Sequence, residues 1–560
     1  MRNLYIFLAL ACATPLFAQT PLSVPTTHFG VDSSRRMLLV QLAEEALPSA
    51  GNGLSTDDDN YRFVTAPSTL DYTTDYPVTG RAGDTFMLSF TPLPLVKIEP
   101  VMHLNQWEKR PAAFTYADGE EVVRSDIGVR HRGGWSLRYP KKSLDLEFRR
   151  SEDWQETRDV QFGNMRDDDD WVIDALYNEP MRVNAYLAHK VWLDLHQLSY
   201  QADEPEARAG ADVEFIEVFF DGQYYGLCTL GEQVDRKQLK LKKMKDGVVR
   251  GALFKSNDYT KATGFWGVPD EAPRGERWAG WEVKHPEPDE VDWEQLRSLI
   301  RFAITTDTDY FRAEAAAHFD LDNTIDYTLF VNALRLTDNL SKNVYLARYR
   351  ADSPYFFVPW DMDAGLGNKW DGTRIDSPTG WAQTHLLARL AELSPNDYAD
   401  RLCGRLEELQ TGILNPDTLI GRLTSIISEL EYSGAYRRES MRWPNVNVSA
   451  DQLDYTTSLL RQQATFIANY ACGRSTATED IDALATVPLH LYPNPADDRA
   501  FVDLQGQSLP VPYRLVDRDG RVLQSGQMTA ELAPVELQGL PGGMYFLHVG
   551  RRVARLVKAR

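Results

Sequence analysis

Asp338, Asn343, Asp361 and Asp363 lie close together in the chain and offer hard oxygen donors. Carboxylate and amide oxygens are the ligands a small divalent cation such as magnesium takes. A carboxylate held beside such a cation can also accept the proton of an attacking hydroxyl. Asp363, two residues beyond Asp361, is either a further ligand or a cap for the turn before Gly365.

These residues need elements to position them. Asp322 reads as a helix N-cap, and Ile325, Leu329, Val331 and Leu334 form a helical apolar face ending near Thr337. Asp338 then falls in a polar loop with Asn339, Ser341, Lys342 and Asn343. Two strand-like runs, 344–349 and 355–360, predict a hairpin. Pairing about Asp352 sets residue 343 opposite 361, on strands about 4.8 Å apart. Protein kinases space a catalytic Asp, an Asn and a metal-binding Asp in this way. In that pattern Asp338 takes the hydroxyl proton, while Asn343 and Asp361 hold the cations that bridge the phosphates.

Upstream, residues 142–148 alternate with period 2 and put Leu144, Leu146 and Phe148 on one face with Lys142. Lys141 is its rival for the inward position, and an exposed strand end is the alternative for both. Residues 180–198 read as an amphipathic helix. A second hairpin turns at Asp221-Gly222, and the chain is mainly helical from Val291 to about Gly473. Ser449 and Gln452 occupy capping-box positions of the last helix. Arg182 either binds phosphate or pairs with a local acid such as Glu179. Asp167 to Asp170 lack the alternating spacing of a calcium loop and read as a solvated turn. His131, His189 and His285 have no partner spacing.

The 560 residues exceed one ordinary core, and 43% hydrophobic content can bury more than one. A net charge of −21 repels nucleic acid and anionic lipid, so neither is expected as a partner. Residues 1–18 have a charged start, a short apolar run and a small residue at Ala18, as in a cleaved signal peptide. No later run approaches the roughly 20 apolar residues of a membrane span, so the mature chain is expected to have none. Export leaves Cys228, Cys403 and Cys472, which allow one internal bridge at most. Cys403 and Cys472 lie in helical sequence and can pair, whereas Cys228 sits in an apolar strand as a buried thiol. Residues 19–90 show weak structure signals and read as a lead-in. After a linker at 476–486, residues 487–560 read as the short strands of a small β sandwich.

Two resemblances follow. Arg132-Gly133-Gly134-Trp135-Ser136, Pro140-Lys141-Lys142-Ser143, Met181-Arg182, Asp221 to Gly226 with Glu232, Asp338 with Lys342-Asn343, and Pro359 to Asp363 resemble the spore coat protein H (CotH) kinases over residues 91–475. The resemblance implies an α+β, divergent protein-kinase-like two-lobed domain that uses ATP with Mg2+ or Mn2+ to phosphorylate a protein or peptide. It makes Asp338 catalytic, Asp361, Asn343 and Asp363 metal ligands, and Lys142 or Lys141 a phosphate contact. Glu232 becomes the lysine's partner or a nucleotide contact, and Arg132-Gly133-Gly134 a short substitute for a Gly-rich loop. The chain departs from standard kinases at Leu336-Thr337, Met362-Asp363 and a missing Ala-Pro-Glu. Leu491 to Pro495, Val516 to Arg521, Leu540 to Leu547 and the basic end resemble type IX secretion sorting domains. That implies passage through the periplasm, the type IX machinery as a partner, and a cell-surface or extracellular destination. Two other readings stand beside the kinase: a non-catalytic surface protein on the same scaffold, and a metal-dependent enzyme acting on glycans.

Overall fold

The computed structural model describes residues 21–43, 46, 47, 52–150, 154–269, 275–475 and 489–558 apart from 495, 505–508, 518–521, 531, 550 and 551. The expected signal peptide and linker, and the Asp519-Gly520 turn, lie outside the described residues. The chain divides into two compact units, 1–473 and 474–560.

A closed barrel of seven strands organises the larger unit. Around it run Val122–Arg132, Ser143–Arg149, Asp170–Asp174, Gln223–Glu232, Val213–Phe220, Leu95–Pro100 and Arg110–Ala117, which returns to Val122–Arg132. Closure leaves no edge to pair with other chains. The alternation expected of 142–148 fills the barrel: Leu144, Leu146 and Phe148 join Trp171, Ile216 and Leu230 inside it. Cys228 is also inside, fully buried and unbridged, and burial pushes its thiol up to about 12, so it is inert. The Asp221-Gly222 turn closes the hairpin as expected, with φ of 51° and 64°.

The larger unit also holds an open sheet of Arg277–Trp278, Trp281–His285, Ala252–Ser256, Val344–Arg348 and Tyr355–Pro359, whose last two strands follow the helices Trp293–Thr305, Thr308–His318 and Leu321–Ala333 in the chain. The helix expected over 180–198 runs from Asn184 to Leu195, because Arg182 is fully buried with φ of 59° and delays its start. The helix before Asp338 spans Leu321–Ala333 and is capped by Asp320, which accepts from the Asn323 amide, rather than by Asp322. Asp322 points outward to Arg401. Ser449 caps the helix Ala450–Ser475 by accepting from the Gln452 amide at 3.3 Å.

Residues 22–91, expected to be weakly structured, form a seven-stranded sheet with its own core of Leu38, Val40, Tyr72, Val78, Leu88 and Phe90. Its strands are short, and two of its pairings are parallel between distant segments, such as Met37–Gln41 with Thr85–Thr91. Local periodicity carries no sign of that kind of pairing.

The smaller unit is all β, with a three-stranded and a four-stranded sheet around Val502, Leu515, Leu547 and Leu556. Asn494 acts as a strand surrogate there: its side chain accepts from the Val557 amide and donates to the Arg555 carbonyl of the last strand. The α+β class and the all-β C-terminal region agree with expectation. Where the resemblance implies a two-lobed kinase fold, the sheets seen are the closed barrel and the open five-stranded sheet.

Cys403 and Cys472 are bridged, tying the helices Tyr398–Gln410 and Ala450–Ser475 across 69 residues. Reduction should lower the stability of the larger unit by about 2–4 kcal/mol. Urea unfolding of the wild type with and without reductant measures this, and Cys403→Ser with Cys472→Ser should match the reduced wild type.

Candidate functional site

A cleft of about 1220 Å³ is lined by Arg132, Asp174 and Glu179 on the barrel side and by Lys255, Asp338, Asn343, Asp361 and Asp363 opposite. Local geometry explains how the acidic side is built. Arg335, with φ of 57°, ends the helix in a left-handed turn, and the Leu336 amide returns to the Val331 carbonyl at 2.9 Å. The chain then enters the loop that holds Asp338. Asn339, fully buried, donates to the carbonyls of Asn343 at 2.9 Å and Trp360 at 2.6 Å. That one amide fixes both ends of the hairpin.

The hairpin is shifted by one residue from the expected register. Val344 pairs with Pro359, so Asn343 is level with Trp360 and not with Asp361. The turn closes from Arg350 to Ser353, which centres the pairing between Ala351 and Asp352. Asn343 and Asp361 each take φ of 55° just outside their strands, and so both turn toward the cleft. Left-handed backbone costs about 1 kcal/mol or more at a residue other than glycine, and such strain gathers at functional sites.

Asn343 donates its amide to Asp338 Oδ2 at 2.9 Å, leaving its own oxygen for another partner. Asp361 is open to the cleft but ringed by protein, and accepts no hydrogen bond among the described residues. Burial and the Asp174 carboxylate raise its pKa, against the pull of Arg132, Lys255 and Lys342. Asp363 accepts from Asn178 at 2.6 Å, yet burial and Asp361 push it well above the usual carboxylate range. Carboxylates crowded so that Asp174 raises the pKa of Asp361 and Asp361 raises that of Asp363 are the donor chemistry that a divalent cation relieves. Asp361, Asp363 and the Asn343 oxygen therefore fit magnesium or manganese.

The basic side is partly as expected. Arg132 donates to Asp174 at 2.6 Å and its guanidinium lies 5.4 Å from the Trp360 ring centre. Lys142 does not face the cleft: its ammonium donates to the Leu137 and Tyr139 carbonyls at 2.8 and 2.7 Å. Lys141 borders the cleft but is fully buried against Glu439 at 2.9 Å and donates to the Leu227 carbonyl. Glu232 sits elsewhere, receiving Arg208, Gln238 and the amides of Arg166 and Asp212. The acid that partners a lysine is thus Glu439, which also takes Arg182 at 3.0 Å and the Leu227 amide at 2.8 Å. Arg182 meets Glu179 only through its backbone carbonyl.

Two further residues, Lys255 and Tyr259, escaped the sequence reading, and Glu179 entered it only as a partner for Arg182. Lys255, on the middle strand of the five-stranded sheet, lies within 6 Å of the Tyr345 and Trp360 rings, and burial with Arg132 nearby lowers its ammonium to about 8. Glu179 accepts from the amides of Asn184 and Ala185 at the start of a helix, while burial drives its pKa up to about 8. Tyr259 donates its hydroxyl to Asp338 Oδ1. No motif marks these residues, because each meets the site through tertiary contacts alone. Trp135 and Trp370 meet edge to face at 4.8 Å near the rim and line the cleft.

Residues 129–477 match the family model described as CotH kinase protein, and residues 490–559 match the secretion system C-terminal sorting domain. The first match spans more than half of the sequence, and the chain belongs to the CotH kinase protein family. The sorting domain assigns it to type IX export, to the cell surface or the extracellular space. No described helix is long and apolar enough to cross a membrane. No curated protein matches the chain.

Two stability tests follow from the buried charges. Glu439→Gln removes the carboxylate that buried Lys141 and Arg182 both pair with and should cost about 3–5 kcal/mol in urea unfolding; a loss near zero would contradict the hub role. Glu179 has its folded pKa near 8, above the ordinary 4.5, so the folded chain keeps a proton that the unfolded chain has lost. Its contribution is complete below pH 4.5 and is lost as pH rises toward 8. Glu179→Gln should therefore flatten the fall in stability over that window, by about 1.4 kcal/mol per pH unit at most. Parallel curves for variant and wild type would contradict the assignment.

Proposed function

We propose that this exported protein is a kinase that transfers the terminal phosphoryl group of ATP, with Mg2+ or Mn2+, to a hydroxyl on a protein or peptide. The observation that supports it is a cleft in which Asp338, Asn343, Asp361 and Asp363, with Lys255 beside them, stand opposite Arg132. In this reading the cleft between the barrel and the five-stranded sheet plays the part of the cleft between two kinase lobes.

Asp361, Asp363 and the Asn343 oxygen would hold the cation, which when bound neutralises charge on the phosphates. Asp338 accepts the proton of the incoming hydroxyl, and the Asn343 amide orients its carboxylate. Lys255 and Arg132 face the phosphate side of the cleft, and a lysine near pKa 8 there is readily charged by an anion. Lys255 thus takes the contact that the resemblance assigned to Lys142. Lys141 acts at one remove, holding the Leu227 carbonyl and Glu439 in place. The work is mostly positioning and charge neutralisation, which rigid walls provide.

The secreted chain is to be incubated with labelled ATP, Mg2+ or Mn2+ and an acceptor protein. Asp338→Asn should lower transfer by about 10²–10⁴-fold with little change in nucleotide affinity, and Asp361→Ala should weaken both. Transfer untouched by either substitution contradicts the site, and absence of nucleotide binding favours the non-catalytic scaffold.

A further inference from the structure

Tyr259 belongs to the loop that leaves the strand Ala252–Ser256. Its side chain is 58% exposed, yet its hydroxyl donates to Asp338 Oδ1. The backbone on either side is pinned. The Asn257 amide donates to the Gly280 carbonyl at 2.9 Å, and Thr263 Oγ1 donates to the Asp258 carbonyl at 2.8 Å. Thr260 Oγ1 donates to the Ala279 carbonyl at 2.6 Å, and the Thr260 amide donates to Thr263 Oγ1 at 2.9 Å. The loop therefore presents this ring to the cleft as a fixed feature. The Lys342 ammonium lies 6.0 Å from the ring centre, a positive charge over the ring. Burial and the Asp338 carboxylate push the phenol pKa upward, so the proton stays on Tyr259 until it is taken in reaction.

A hydroxyl donating to the carboxylate that serves as base is the geometry of a phosphoryl acceptor. We propose that Tyr259 is an acceptor for this chain's own site and is phosphorylated within one molecule. The proposal rests on the kinase reading above and names one substrate for it. The phenolic O–H bond breaks and its proton passes to Asp338. The phenolic oxygen bonds to the terminal phosphorus of a nucleoside triphosphate. The bond from that phosphorus to the bridging oxygen breaks, and the nucleoside diphosphate leaves with the electron pair. The phosphotyrosine formed is repelled by the Asp338 carboxylate once that carboxylate has released its proton, so the ring leaves the base and the cleft opens to other hydroxyls.

The full secreted chain is to be incubated with ATP and Mg2+ or Mn2+, alone and with an added peptide bearing serine and tyrosine, and the sites of phosphate mapped by mass spectrometry. Phosphate at Tyr259, accumulating at a rate independent of protein concentration and lost in both Tyr259→Phe and Asp338→Asn, supports the proposal. Phosphate on the peptide with none at Tyr259 overturns it and leaves the kinase reading standing; Tyr259 then only blocks the base, and Tyr259→Phe should speed peptide transfer. A rate at Tyr259 that rises with protein concentration also overturns it, since the acceptor is then another molecule. No phosphate on either peptide or Tyr259 overturns both readings.

Discussion

A single carboxylate, Glu439, holds the larger unit together. It is fully buried on the helix Ala435–Arg442 and receives Lys141, Arg182 and the Leu227 amide, which come from the barrel and from the turn before the first helix. Next to it Arg438, also fully buried, binds Glu217 in the barrel and the Phe90 carbonyl of the N-terminal sheet. Gly226 lets Glu439 approach: it has φ of 115°, and a Cβ there would stand 2.2 Å from Glu439 Oε2. Burying these five charges is costly unless each is paired and hydrogen-bonded in one arrangement, so this hub tolerates few alternatives.

The cleft inherits that rigidity. Arg182 holds the turn that carries Glu179, and Lys141 holds the strand beside Arg132, so the barrel wall is set by the hub. Opposite, Asn339 and the left-handed residues Asn343 and Asp361 fix the acidic floor. The floor stores unfavourable energy in two forms, left-handed backbone at Asn343 and Asp361 and crowding of carboxylates. The Cys403–Cys472 bridge fits the same picture, since a disulfide persists in the oxidising surroundings to which the sorting domain sends the chain.

Much of the floor was legible because it is local. Asp338, Asn343 and Asp361 follow from one helix, one loop and one hairpin, and a slip of a single residue in register did not separate them. The turn at Asp221-Gly222 and the cap at Ser449 were readable for the same reason. What remained hidden is long-range. Glu439 meets Lys141 across 298 residues, whereas the acid that the resemblance assigned to the lysine, Glu232, serves another network. Lys255 reaches the cleft only because its strand pairs with Val344–Arg348. Alternation placed the hydrophobic side chains of 144–148 correctly but not Lys142, which precedes the strand and curls back on the loop. The N-terminal sheet was missed because short strands and parallel pairings leave little periodic signal.

The central claim is that the acidic floor binds a divalent cation together with nucleotide. Electron paramagnetic resonance titration of Mn2+ into the purified chain, with and without ATP, tests it without depending on turnover or on an acceptor. The account predicts that ATP strengthens Mn2+ binding and that Asp361→Ala with Asp363→Asn abolishes this effect. Mn2+ binding that is indifferent to ATP, or that survives the double substitution unchanged, would contradict it.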